Sequence, residues 1–257
     1  MHWIGFKTLI LRECGVTARF WITTLVPPIL TTLLYLVIFG QIIGNRIGAV
    51  DGVPYIRYMA PGLVLLWAIP YSFGHTAGGF LGARIFRYIE ELLASPLPGW
   101  LIMSGYVAGG IARGLAVAAS VALTVLFFTH PGIHSLSVSL VALLLSVLVS
   151  ALAGFIVANL AKTFDHVASI QLWVFVPLTY VSGAFAPLSE LPDWARELSL
   201  ANPMFYMTSA FRYGVLGVSD VPVGPGLMLL AAFAAVLLVA ASRMARAPAM
   251  RRWTEDA

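Results

Sequence analysis

The side chains able to do chemistry are few, and their densest run lies between two long apolar segments. It reads Gly82-Ala83-Arg84-Ile85-Phe86-Arg87-Tyr88-Ile89-Glu90-Glu91-Leu92-Leu93-Ala94-Ser95-Pro96-Leu97-Pro98. At helical spacing Ile85, Ile89, Leu92 and Leu93 share one face, while Arg84, Arg87 and Glu91 share another. Pro96 disfavours helical backbone at Ser95 and ends the helix there. The run predicts a short amphipathic helix over residues 84–95 that carries both signs of charge. Such a helix is either a solvated turn or a docking element for a cytoplasmic partner, and composition alone does not choose between them.

Arg113 is the second chemical group. It falls well inside an apolar stretch, where an arginine at a helix centre costs at least about 2.5 kcal/mol. Two readings stay open: an arginine that snorkels along a long helix, and a cation lining a path for an anionic substrate or headgroup. His75 is either a hydrogen-bonded core histidine or a proton-carrying group. No GxxxxGK[ST] phosphate loop occurs, and Lys162-Thr163 follows an apolar helix that cannot cradle phosphates. No HExxH motif occurs, and the five histidines lack zinc-like spacing. Cys14 is the single cysteine, which excludes an intrachain disulfide. Ser182-Gly183 has no nearby His or Asp to make a nucleophile of the serine. No cofactor or metal is therefore expected in this chain.

The elements that must hold these groups are membrane helices. Hydrophobic residues make up 60% and charged residues 10%, with mean hydropathy +0.92; a soluble domain carries about 25% charged residues. A bilayer core needs roughly 20 apolar residues as a helix. The segments Trp21–Gly44, Tyr58–Phe80, Trp100–Thr129, Leu136–Ala161, Val167–Ala186 and Gly224–Ser242 meet that need. None contains Asp or Glu, which argues against a proton-driven carrier. The third and fourth are separated by a turn at His130, Pro131, Gly132 and His134.

Six spans place both ends on one side. That side holds Lys7, Arg12, Arg19, Arg84, Arg87, Lys162, Arg243, Arg246, Arg251 and Arg252, against Arg46, Arg57, Arg196 and Arg212 on the other. Ten against four predicts that both termini are cytoplasmic. The net charge of +4 follows this bias, and the basic–aromatic patches of nucleic-acid binders are absent. An N-terminal signal peptide is not expected, because the first apolar span is too long and follows a charged lead.

Residues 1–20 mix apolar and charged positions and predict an interfacial helix. Pro27 and Pro28 mark the start of span one or a bend in it; Pro61 and Pro70 predict a kink or break in span two. Small residues recur at four-residue spacing, including Gly105 and Gly109, Gly110 and Gly114, and Ser146, Ser150 and Gly154; they are read first as packing within one subunit, with contact to a second subunit the lesser reading for any single motif. The segment 187–223 is too polar to span. It predicts two short amphipathic helices against the outer membrane surface, the first with an apolar stripe of Leu191, Trp194 and Leu198, the second over Met204–Leu216.

The run from Ile89 to Pro96 resembles the coupling-helix motif of ABC-2 type transporter permeases. Leu191-Pro192, followed by Pro203-Met204-Phe205-Tyr206 and Arg212, is similar to the C-terminal half of that family's signature, with Pro177 and Ser182-Gly183 before it and Val181 a looser match. The resemblance covers nearly the whole chain and is nearest to the bacterial YadH-like branch. It implies one transmembrane domain over residues 1–257, all-α and six-spanning, with an interfacial helix at 1–20, a coupling helix at 84–95 and extracytoplasmic helices at 187–223. It implies a partnership with a second copy and with two copies of a cytoplasmic ATP-binding subunit, which would hold ATP and magnesium. By the same resemblance Arg87, Glu90, Glu91, Leu92 and Pro96 lie at the ATPase contact, and Pro203, Tyr206 and Arg212 shape an outer gate. The expected activity is export of an amphipathic, lipid-linked or drug-like molecule through the bacterial inner membrane, with no catalysis by this chain. An ion-gradient carrier using His75 and Arg113, and a non-transporting membrane anchor, are the competing readings.

Overall fold

The computed structural model describes residues 2–44, 48–50, 52–94, 97–129 and 132–246. They form a helical bundle. Helix α1 (His2–Arg19) precedes α2 (Trp21–Tyr35), which runs on as a π-helical stretch, Leu36–Ile43. A two-stranded antiparallel hairpin, β1 (Ala49–Val50) and β2 (Val53–Pro54), leads into the long α3 (Tyr55–Ile85). The short α4 (Tyr88–Ala94) connects to α5 (Gly99–Thr129) and α6 (Leu136–Leu160). Next come α7 (Phe164–Ile170), a π-helical turn Gln171–Phe175, α8 (Val176–Tyr180), α9 (Asp193–Ala201), α10 (Pro203–Leu216) and α11 (Val223–Met244).

Among the described residues, four segments are long and apolar enough to cross a bilayer: Trp21–Gly40, Gly99–Thr129, Leu136–Leu160 and Val223–Met244. They match four of the six expected spans. Helix α3 is equally long as α5 but is the hub of the bundle, packed on α5, α6 and α10. Because protein rather than lipid surrounds it, it tolerates Ser72, His75 and Thr76 on its buried faces. The expected fifth span, Val167–Ala186, is an uninterrupted helical run of α7, the π-helical turn and α8 that ends at Tyr180, and the chain then turns at Gly183, whose φ of 72° suits glycine.

The small residues set the helix spacing within this one chain. A Cβ on Gly114 would stand 2.8 Å from Ser72 Cβ of α3 and 2.9 Å from a Val147 methyl of α6. A Cβ on Gly154 would stand 2.5 Å from the Phe73 carbonyl oxygen. The Gly154→Ala variant is therefore expected to force α6 off α3 and to cost about 1–3 kcal/mol, read as a lower midpoint of thermal unfolding in detergent. Buried hydroxyls bond back into their own helices: Ser146 to the Ala142 carbonyl at 2.7 Å and Ser150 to the Ser146 carbonyl at 2.7 Å.

The structure corrects several expectations. Pro61 and Pro70 do not break α3, and Pro27 and Pro28 lie inside α2 rather than at its start. Helix α10 is not a surface helix: Phe205, Met207, Ala210 and Arg212 are buried against its neighbours. On α9 the stripe residues Trp194, 71% exposed, and Leu198, 46% exposed, are left largely free of protein contact, and Ala195 and Ser199 form the packed side. Small residues win there because Ser199 must come close enough to donate to the Val181 carbonyl at 3.0 Å.

Candidate functional site

Three arrangements of polar side chains stand out, one at each end of α3 and one between them. At the first end, α3 stops at Ile85 and the chain bends at Phe86 and Arg87, where Arg87 adopts a positive φ of 62°. The expected single helix over 84–95 is thus two pieces. Arg84 belongs to α3 and turns inward, donating to the carbonyls of Ala158, Asn159 and Ala161 at the end of α6. A cation at a helix C-terminus satisfies carbonyls that have no partner in the helix. Ile85 is exposed, so it does not join the apolar face; Ile89 is buried, with Leu92 and Leu93 half-buried beside it. Glu90 and Glu91 are exposed, as is Arg87. Pro96 lies outside the described residues. The end of α3 therefore carries a short helix seated by its apolar side and presenting two carboxylates outward.

At the opposite end, Arg212 is completely buried. Its Nη1 donates to Asp220 Oδ2 at 2.6 Å, its Nη2 donates to the Gly183 carbonyl, and its guanidinium lies 4.1 Å from the centre of the Tyr58 ring. The other oxygen of Asp220 accepts from the Leu188 amide at 3.1 Å. One buried cation thus joins α10, the turn after α8, the segment before α11, and α3. Pro203 occupies the first turn of α10, where a missing N–H costs nothing. Asn202 before it accepts from the Met204 amide at 2.9 Å and donates to the Leu178 carbonyl at 2.7 Å. The Tyr206 hydroxyl donates to the Leu200 carbonyl at 2.9 Å. The signature residues therefore fix one turn from three sides. Asp220, the counter-charge, was missed by the sequence reading; its only sequence signal is an acid eight positions after Arg212 in a segment poor in charge.

The third arrangement lies between these ends. Arg113 of α5 is half-buried; its Nη2 donates to Thr24 Oγ1 of α2 at 2.6 Å and its Nη1 donates to His75 Nδ1 of α3 at 3.0 Å. A guanidinium can only donate. His75 therefore offers its lone pair at Nδ1 and carries its proton at Nε2. That Nε2 lies 3.3 Å from Glu13 Oε2 of α1, close enough for electrostatic attraction but without the alignment of a hydrogen bond. Glu13 is only 4% exposed. The apolar spans lack acids, yet α1 brings one to them. It does so through glycine: Gly105 accommodates Leu9, and a Cβ on Gly109 would stand 2.6 Å from Glu13 Cβ. Four helices meet at this chain of Glu13, His75, Arg113 and Thr24, which we call the latch.

A helical bundle with several bilayer-length segments, and polar groups spent on joining helices, defines a polytopic membrane protein. The model of the ABC-2 type transporter family matches residues 4–216. The chain is 39% identical over 222 residues to the inner membrane transport permease YadH of Escherichia coli strain K12, covering 86% of this chain and 87% of that one. It is 26% identical over 205 residues to nodulation protein J of Rhizobium meliloti strain 1021, covering 79% and 78% of the two chains. It is 25% identical over 196 residues to the putative transport permease ycf38 of Cyanophora paradoxa, covering 74% and 67%. The chain belongs to the ABC-2 type transporter family, as a transport permease whose class works with an ATP-binding ABC subunit.

Proposed function

We propose that two copies of this chain form the path of an ATP-driven exporter in a bacterial inner membrane, and that each copy docks one cytoplasmic ATP-binding subunit through α4. ATP and magnesium are held by that subunit. The observation that carries this reading is the seating of α4: Ile89 is buried while Glu90 and Glu91 point away from the bundle at the end of its central helix. A force applied to α4 reaches α3 across a single bend. Arg87 flanks the contact, and Leu92 helps seat the helix. With six passes, the excess of Lys and Arg on the α4 side supports cytoplasmic termini. Pro203, Tyr206 and Arg212 then shape the outer gate, and Arg113 borders the path. Spans so poor in charge suit a cargo with an apolar part, whether amphipathic, lipid-linked or drug-like.

The test is the double variant Glu90→Ala, Glu91→Ala, co-expressed with the ATP-binding subunit. Loss of two interfacial carboxylates is expected to weaken co-purification about ten-fold or more, at roughly 1 kcal/mol or above per charged contact. Thermal unfolding of the permease alone should stay as in the wild type, because both side chains are exposed. Unaltered co-purification with unaltered stimulation of ATP hydrolysis would sink the docking role of α4.

A further inference from the structure

We infer that the bundle holds a binding site for an anionic phospholipid at the end opposite α4, formed by two adjoining hollows. An apolar cleft of about 190 Å³ runs between α3, α5, α6 and α10, with Ala60, Pro61, Val64, Leu143 and Phe211 on its walls. A second hollow of about 340 Å³ opens at the bundle end beside the hairpin, with Arg57 and His134 on its wall. Ile133 and Val215 line both, so the two adjoin.

The sequence explains the shape. Arg57 and Pro61 lie four apart on one face of α3, and Pro61 cannot bond the Arg57 carbonyl, which loosens the helix where the hollows join. Ala60 and Ala122 leave room below. From Arg57 to Val64 the face descends about 10 Å, well into one leaflet of a core about 30 Å thick. Arg57 is exposed, and its Nε donates to the Thr129 carbonyl at 3.1 Å, which fixes the guanidinium at the rim. Among the described residues no carboxylate pairs with it. His134 is held beside it by the Tyr213 ring at 5.3 Å and by a backbone bond to Val215 at 3.1 Å. On the open side of the cleft Leu126 and Leu140 are exposed.

A fixed cation above an apolar slot matches a phosphate joined to an acyl chain. The Nη donors of Arg57 take the phosphate oxygens, and the cleft takes the chain. A free anion would leave the cleft unused. The site shares no residue with α4 or the latch, so it stands or falls apart from the export reading.

The protein is reconstituted into bilayers of equal phosphatidylglycerol and phosphatidylcholine, then extracted in mild detergent, and retained lipid is counted by mass spectrometry. Wild type is expected to keep phosphatidylglycerol about five-fold over phosphatidylcholine, the scale of one arginine at an anionic surface. Arg57→Gln should bring the ratio near one. Leu140→Trp, at an exposed position on the cleft, should lower retention of both lipids. Arg196→Gln, exposed on α9, should change nothing. Parity in the wild type, an unmoved ratio in Arg57→Gln, or an equal loss in Arg196→Gln each overturns the site. Displacement of the lipid by inorganic phosphate alone, or disulfide cross-linking between copies through Leu140→Cys, would reassign it to an ion or to a subunit interface and equally overturn it.

Discussion

Arg212→Ala is expected to be among the most destabilising single changes in this chain, costing about 3–5 kcal/mol. The variant deletes a completely buried guanidinium and strands Asp220, whose carboxylate is then left with the Leu188 amide and the distant Tyr58 hydroxyl. The Gly183 carbonyl loses its donor as well. Arg212→Lys should recover only part of the loss, since one ammonium cannot serve Asp220 and Gly183 as a fork while lying flat over Tyr58. Replacing both ions, Arg212→Leu with Asp220→Leu, should be milder than Arg212→Ala, because no buried charge remains unpaired. Thermal unfolding in detergent reads the series. A wild-type midpoint for Arg212→Ala would mean that the Arg212–Asp220 pair does not hold these segments together. If this pair also frames an outer gate of the proposed exporter, export by the surviving variants should fall further than their stability does.

The helices were legible because their cause is local: long apolar runs bounded by charge need nothing beyond composition to be read as membrane segments. Arg212 and the exposed Glu90 and Glu91 were legible for a different reason, as members of recurring motifs. The pairings were not. Asp220 answers Arg212, and Glu13 faces His75 and Arg113, only because the bundle brings distant segments together. Arg84 sat in a motif with Arg87 and was read onto the same exposed face. A bend at Arg87 separates them and turns Arg84 onto the carbonyl ends of α6.

The glycines hold a signal that could have found the latch. Gly105 and Gly109 repeat at four residues, and so do Leu9 and Glu13, which pack on them in register. Read together, the two repeats place α1 against α5 and carry Glu13 to the level of His75. Packing within a single chain, expected for the small-residue repeats as a group, is where these contacts fall.

Glu13→Ala and Arg113→Ala should each cost about 1–3 kcal/mol, because each strips His75 of one facing charge, while Arg12 still stands 4.0 Å from Glu13 and Thr24 still accepts from Arg113. The double variant should cost less than the sum, with a coupling of about 1–3 kcal/mol, although the two charges do not touch. His75 carries that coupling: one ring nitrogen receives the Arg113 proton donor and the other faces Glu13. His75→Phe keeps the ring and removes both contacts, so it should abolish the coupling between Glu13 and Arg113 in a cycle repeated on that background. The contact between His75 and Glu13 is already short of a full hydrogen bond, which makes it the weakest point of the chain. A small shift of α3 along its axis would break or align it while Arg113 and Thr24 stay joined. Since α4 sits at the end of the same helix, the latch is placed to feel any push delivered there. If the chain exports as a dimer as proposed, Arg113→Ala should therefore reduce export beyond what its stability loss explains, with dimerisation intact. Export in proportion to folded protein would leave the latch a structural joint and return Arg113 to a role in packing alone.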